Sequence, residues 1–191
     1  VFRMSNLAHR NTAMHFYSLP LFVRQLILIL ACLGLGCVSI TNAAELDTPI
    51  NEQVVMLPVV SPNGSHLQFE TTIYKPAGNG PFPLLLMNHG KERGNPNRQK
   101  RDRFLALSRE FVKRGYAVAV PMRKGFAKSN GYYSDYGCNM KDNGQLQADD
   151  IQAALSALVR QSWVDPDRII VAGQSYGGLA TLAFGTRHFP G

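Results

Sequence analysis

Three short, uninterrupted apolar runs, within PLLLMNHG (83–90), YAVAVP (116–121) and RIIVA (168–172), alternate with stretches of helical spacing. This alternation constrains the fold more than any other feature. The first two runs, with no polar face, read as strands buried on both sides, and RIIVA as a strand that follows a Pro turn. RDRFLALSREFVKRG (101–115) places Phe104, Leu107 and Phe111 on one helical face and stops at Gly115. QLQADDIQAALSALVRQ (145–161) turns Ile151, Leu155 and Leu158 inward, and GGLATLAFGTRHFPG (177–191) begins as a helix and ends in breakers. Upstream, VVMLPVV (54–60) and LQFETTIYKP (67–76) flank SPNGSH, which reads as a hairpin. The expected fold is α/β: a mostly parallel sheet with helices on both faces and an antiparallel edge from the hairpin.

Residues 1–43 read as a leader, and 44–191 as the folded domain. LILILACLGLGCV (26–38) is apolar throughout, Arg24 precedes it and small residues follow. That is the layout of a secretory signal, with the cut expected after Ala43 and a start at Met4 or Met14. Its 13 residues are short for a bilayer span of about 20. The expectation is a secreted or periplasmic protein with no stable membrane span once the signal is cut. An uncleaved anchor, or lipidation at Cys37, stands as the alternative. Of three cysteines, only Cys138 would remain, as a buried or tolerated free thiol. No cysteine or histidine cluster has metal-ligand spacing, so no structural metal is expected.

The formal charge is +7, much of it in KERGNPNRQKRDR (91–103). No aromatic residue interleaves those charges and no nucleic-acid motif accompanies them. The stretch reads as a solvated loop, and no nucleic-acid partner is expected. Asp149 and Asp150 read as solvated or capping charges of their helix.

Gly173-Gln174-Ser175-Tyr176-Gly177 matches G-x-S-x-G, with a strand directly before it and helical sequence directly after. A strand that reverses sharply into a helix strains the serine backbone, and the glycines remove Cβ atoms that would clash across the turn. Ser175 is therefore the candidate nucleophile. Asn88-His89-Gly90-Lys91 leaves the end of the first buried strand of the parallel set, where chemistry collects in such sheets. The backbone N–H of Tyr176 and that of Lys91 are the candidate oxyanion donors, with Gly90 as the alternative to Lys91. His89 reads as a loop-fixing residue. Tyr132, Tyr133 and Tyr136 lie in a long loop (123–144) that leaves a strand end, and are candidates for one wall of the substrate site.

Taken as a set, NHGKERG, RGYAVAVPMRKGFAKSNG and WVDPDRIIVAGQSYGG resemble the serine α/β-hydrolases of the dienelactone hydrolase and prolyl oligopeptidase-like groups. The resemblance runs from about residue 54 onward. It implies the α/β-hydrolase fold, hydrolysis of a small ester, lactone or peptide substrate, a Ser-Asp-His triad, and no cofactor or metal. Dienelactone hydrolases proper carry cysteine at the elbow, so Ser175 favours an esterase or peptidase-like relative. In such enzymes the acid and the histidine follow the nucleophile. After Ser175 this sequence offers no Asp or Glu and only His188, 13 residues on. A helix would carry His188 roughly 20 Å away. The expectation is a chain truncated before the last strands, inactive by itself, with its elbow strand on an open, pairing-prone edge. The rivals are a non-catalytic α/β-hydrolase-like binding protein and a phosphate-binding Gly-rich turn. The latter lacks a P-loop Lys-Ser/Thr.

Overall fold

A computed structural model of the chain describes residues 46–189. The leader, Ala43 and Cys37 lie outside the described residues. Among the described residues, five strands form one sheet: β1 (Gln53–Val60), β2 (His66–Tyr74), β3 (Phe82–Asn88), β4 (Ala117–Pro121) and β5 (Val164–Gly173), in the order β1-β2-β4-β3-β5. β1 and β2 form the expected hairpin, and β2 pairs antiparallel with β4. β3 pairs parallel with both β4 and β5. The β3–β5 register sets Asn88 opposite Gly173. The two loops that carry the candidate site therefore leave the sheet side by side.

Among the described residues, three α-helices cover the sheet: α1 (Leu105–Lys113), α2 (Met140–Leu158) and α3 (Tyr176–Gly185). Period-two alternation divides the central strands between two cores. Leu84, Leu86, Ala117 and Ala119 pack with Ile151, Leu155 and Leu158 of α2 and Phe184 of α3. Leu85, Met87, Val118 and Val120 face the other way, against Phe104 and, on α1, Leu107 and Phe111. Both faces of β3 and β4 are thus covered, as their continuous apolar runs require, whereas β5 is only partly buried.

Helix boundaries depart from the sequence expectation for identifiable reasons. α1 starts at Leu105 rather than residue 101, because Phe104 has φ 45° and breaks the helical path. α2 starts five residues before position 145, where Asn139 accepts a hydrogen bond from the Asp142 N–H at 3.2 Å. Gly144, a breaker by composition, sits inside α2 because α3 is close. A Cβ there would lie 3.2 Å from that of Ala183.

The basic loop 91–103 is not simply solvated. Arg101 and Arg103 both pair with Glu52, whose side chain is fully buried, and Tyr74 Oη donates to the same carboxylate at 3.3 Å. Burial alone would raise the Glu52 pKa. Bonds from Arg103, the Asp47 amide and Arg101 outweigh it and hold the group at about 2. A carboxyl depressed in the fold stabilises it above the unfolded pKa and ceases to as pH falls toward about 2. Glu52→Gln is expected to cost roughly 3 kcal/mol at pH 7, because it removes the buried negative charge on which Arg101 and Arg103 converge. Urea melts of parent and variant should converge as the pH approaches 2, the parent losing its advantage.

β5 has no strand on its outer side among the described residues. Ile170 on it and Leu182 on α3 are exposed. A polypeptide of residues 44–191 expressed alone is expected to self-associate through this edge. A concentration-independent sedimentation coefficient at the monomer value would contradict that.

Candidate active site

Ser175 stands where β5 turns into α3, with φ 52° and ψ −120°. L-residues rarely adopt that conformation, and it persists only where the surroundings impose it. The surroundings here are close-packed backbone. A Cβ on Gly173 would lie 2.2 Å from the Gly177 carbonyl oxygen, and one on Gly177 would lie 2.3 Å from the Asn88 oxygen. Neither position admits another residue without backbone movement. Strain on Ser175 and compression at its flanking glycines leave the serine exposed at the N-terminus of α3.

The β3 loop meets it. The Gln174 N–H donates to the Asn88 carbonyl at 3.1 Å, which ties the two strand ends together. A Cβ built on Gly90 would come 3.9 Å from Ser175 Oγ, so Gly90 borders the hydroxyl. The N–H groups of Gly177, Gly178 and Leu179 bond to the Gln174 and Ser175 carbonyls. Those of Tyr176 and Lys91 find no acceptor among the described residues. Two unspent amides beside a strained serine at a helix N-terminus are suited to a developing negative charge. A groove of about 410 Å³ opens here, lined by Lys91, Glu92, Arg93, Met140, Ser175, Tyr176 and Leu179.

His89 is fully buried and both its ring nitrogens are engaged. Nε2 accepts from the Arg123 N–H at 3.0 Å, which leaves Nδ1 to donate to the Gly90 carbonyl at 2.6 Å. Burial, then the Arg123 charge, push its pKa well below the usual imidazole value. It stays neutral and fixes the loop. Arg123 is itself buried, its Nη2 donating to the His89 carbonyl at 2.8 Å and its Nε to Gln147 at 2.7 Å. Burial lowers its pKa to about 10, and it remains a cation at neutral pH. Arg123, Gln147 and Gln99 support the site, yet nothing in their local sequence pattern marked them. Arg123 meets His89 and Gln147 across 34 and 24 residues, and Gln99 bonds within its own loop through groups that no motif marks.

Asp150 corrects the sequence reading. Far from being a solvated charge, it is buried and accepts from the Lys124 N–H at 3.0 Å, on the loop that follows Arg123. Burial raises its pKa to about 6. Asp149 is partly exposed and pairs with Arg187 at 2.7 Å. Of the three loop tyrosines, Tyr132 and Tyr136 are exposed, while the Tyr133 ring lies under the Lys91 ammonium, 5.4 Å from it. Cys138 is free but exposed, not buried.

None of the described histidines serves Ser175. His66 opens β2 opposite Val60, and β2 lies three strand spacings, roughly 14 Å, from β5. His188 is exposed and lines a separate groove with Leu155, Ile169 and Phe184. Among the described residues, no group of His, Cys, Asp and Glu could hold a metal ion. No helix there is long and apolar enough to cross a membrane.

Residues 104–189 match the model of the prolyl oligopeptidase family. The quorum-quenching protein AidA of Acinetobacter baumannii is 30% identical over 111 residues, covering 58% of this chain and 33% of that protein. The chain therefore spans about a third of the length of the curated relative it matches. Oligopeptidase B from Leishmania major superposes with a TM-score of 0.53 at 19% identity, over 72% of this chain and 19% of that one. A lidless α/β serine hydrolase from Xanthomonas campestris gives 0.50 at 16% identity, over 76% of this chain and 60% of the other. The fold is that of the α/β-hydrolases, present in part.

Proposed function

We propose that this chain, an α/β-hydrolase similar to the prolyl oligopeptidase family, is the nucleophile-bearing part of an exported serine hydrolase that cleaves carboxylic ester, lactone or peptide bonds. The observation that carries the reading is the strained backbone of Ser175, held between Gly173 and Gly177 and bordered by Gly90. In the reaction, Ser175 Oγ bonds to the substrate carbonyl carbon and its proton passes to an imidazole. The carbonyl oxygen becomes an oxyanion, received by the N–H groups of Tyr176 and Lys91. Collapse expels the alcohol or amine, which takes the proton from the imidazole. Water then attacks the acyl-serine by the same route and frees the acid. The histidine and its carboxylate come from residues outside 46–189, since no described imidazole faces Ser175. By itself the chain is inactive beyond what an oxyanion hole supplies. Substrates are small molecules, and no cofactor enters the scheme.

The test is covalent. A fluorophosphonate probe applied to the full-length protein should label one tryptic peptide, that containing Ser175. Labelling only elsewhere would reject Ser175 as the nucleophile, and no labelling of a folded protein would reject the reading in favour of a non-catalytic binding protein. Export rests on the apolar stretch 26–38. It predicts a mature N-terminus at Ala44, readable by mass spectrometry of the exported protein. An N-terminus within the first 43 residues would count against cleavage there.

A further inference from the structure

Gln99 lies in the loop after β3 and is buried. Its side-chain amide brackets one residue of the candidate oxyanion hole. Nε2 donates to the Gly90 carbonyl at 3.3 Å, and Oε1 accepts from the Glu92 N–H at 3.0 Å. The second Nε2 hydrogen goes to Asp102 Oδ2 at 3.3 Å. These partners fix the amide's orientation, since a flipped amide would set oxygen against oxygen at Gly90 and Asp102. The Gly90 carbonyl also takes the His89 Nδ1 proton.

The Gly90 carbonyl and the Lys91 N–H belong to one peptide unit. In a trans peptide the two point in opposite directions. Whatever draws that carbonyl toward Gln99 and His89 aims the Lys91 N–H away from them. The Gly90 backbone borders Ser175 Oγ on this loop. We infer that Gln99 is a positioning residue: by clamping the Gly90 carbonyl and the Glu92 amide, it holds the Lys91 N–H toward the oxyanion formed at Ser175. The inference rests on the hydrolase reading above. Gln99 touches no substrate and acts only through the backbone of Lys91.

The experiment compares turnover of p-nitrophenyl butyrate by the full-length protein and by Gln99→Leu, Gln99→Glu and Ser175→Ala. Complete loss of an oxyanion donor lowers kcat by about 10²–10³-fold, so misaiming one should lower it by about 10–100-fold. KM should stay within about threefold, because the contact exists in the transition state and not with bound substrate. Gln99→Glu gives the more diagnostic result. Its carboxylate still accepts from the Glu92 N–H but cannot donate to the Gly90 carbonyl. The introduced carboxyl faces Asp102 and neutral His89, with Glu92 on the clamped segment, so burial and like charge raise its pKa. Protonation restores a donor. The activity of this variant relative to the parent should therefore rise as pH falls from about 8 to about 5. A merely structural role gives a ratio that does not move with pH.

If both variants keep kcat within about twofold of a Ser175-dependent parent, the clamp is overturned. If Gln99→Leu does not fold, the pH ratio of Gln99→Glu decides. A parent with no Ser175-dependent turnover and no fluorophosphonate label on Ser175 rejects the hydrolase reading instead. Amide hydrogen exchange at residues 90–92 then judges the clamp: faster exchange in Gln99→Leu supports it, and unchanged exchange rejects it.

Discussion

Ser175→Ala in the full-length protein should lower kcat on an activated ester by roughly 10⁴–10⁶-fold and leave KM nearly unchanged. The magnitude reflects the groups left behind. Without Oγ no acyl-enzyme forms, and the Tyr176 and Lys91 amides can only polarise a carbonyl for direct attack by water. Such residual catalysis is about 10³–10⁴ over water in other serine hydrolases. Stability should move the other way from activity. Position 175 has φ 52°, so a residue without Cβ relieves strain that serine and alanine share. Ser175→Gly should therefore be as inactive as Ser175→Ala and more stable by roughly 1 kcal/mol, read as a higher denaturation midpoint. Equal stability of the two variants would show that the elbow stores no strain.

Gly177→Ala should destabilise the fold by roughly 2–4 kcal/mol and lower Tm by about 5–10 °C. The added methyl meets the Asn88 oxygen at 2.3 Å and the His89 oxygen at 2.5 Å, both backbone atoms that no rotamer change can remove. Relief needs α3 to move off the end of β3. That movement also shifts the His89–Lys91 loop, so activity should fall alongside stability. Gly178→Ala is the internal control, one residue along the same helix. Its methyl would stand 3.4 Å from the Gly173 oxygen, an ordinary contact. Alanine there should be neutral or stabilising by about 0.5–1 kcal/mol through helix propensity. Similar melting of the two variants would show that the crowding at Gly177 relaxes easily.

Local sequence carried the fold class because strands buried on both faces leave a signature of composition. Leu84 through Met87 and Ala117 through Val120 are apolar without interruption because two helical layers cover them. The elbow was legible for a related reason: Gly173, Ser175 and Gly177 fall within five residues and Gly173 packs on the Gly177 backbone, although the crowding at Gly177 comes from the Asn88 and His89 oxygens of the β3 end. Helix starts were less legible. Phe104 is apolar and correctly spaced, yet its backbone is left-handed, and Gly144 looks like a breaker until α3 supplies the close neighbour.

The layered α/β architecture and the serine on a sharp turn could be read from short segments, because an uninterrupted apolar run and a G-x-S-x-G spacing each show within a few residues. Which polar side chains become buried anchors emerges only when the chain is folded. Arg123 reaches back 34 residues to His89, Lys124 meets Asp150 across 26, and Arg101 and Arg103 close on Glu52 across about 50. Polar side chains read as solvated when their partners lie that far along the chain. Burial turned them into anchors, because a charge removed from water must be met by a partner wherever the fold brings one.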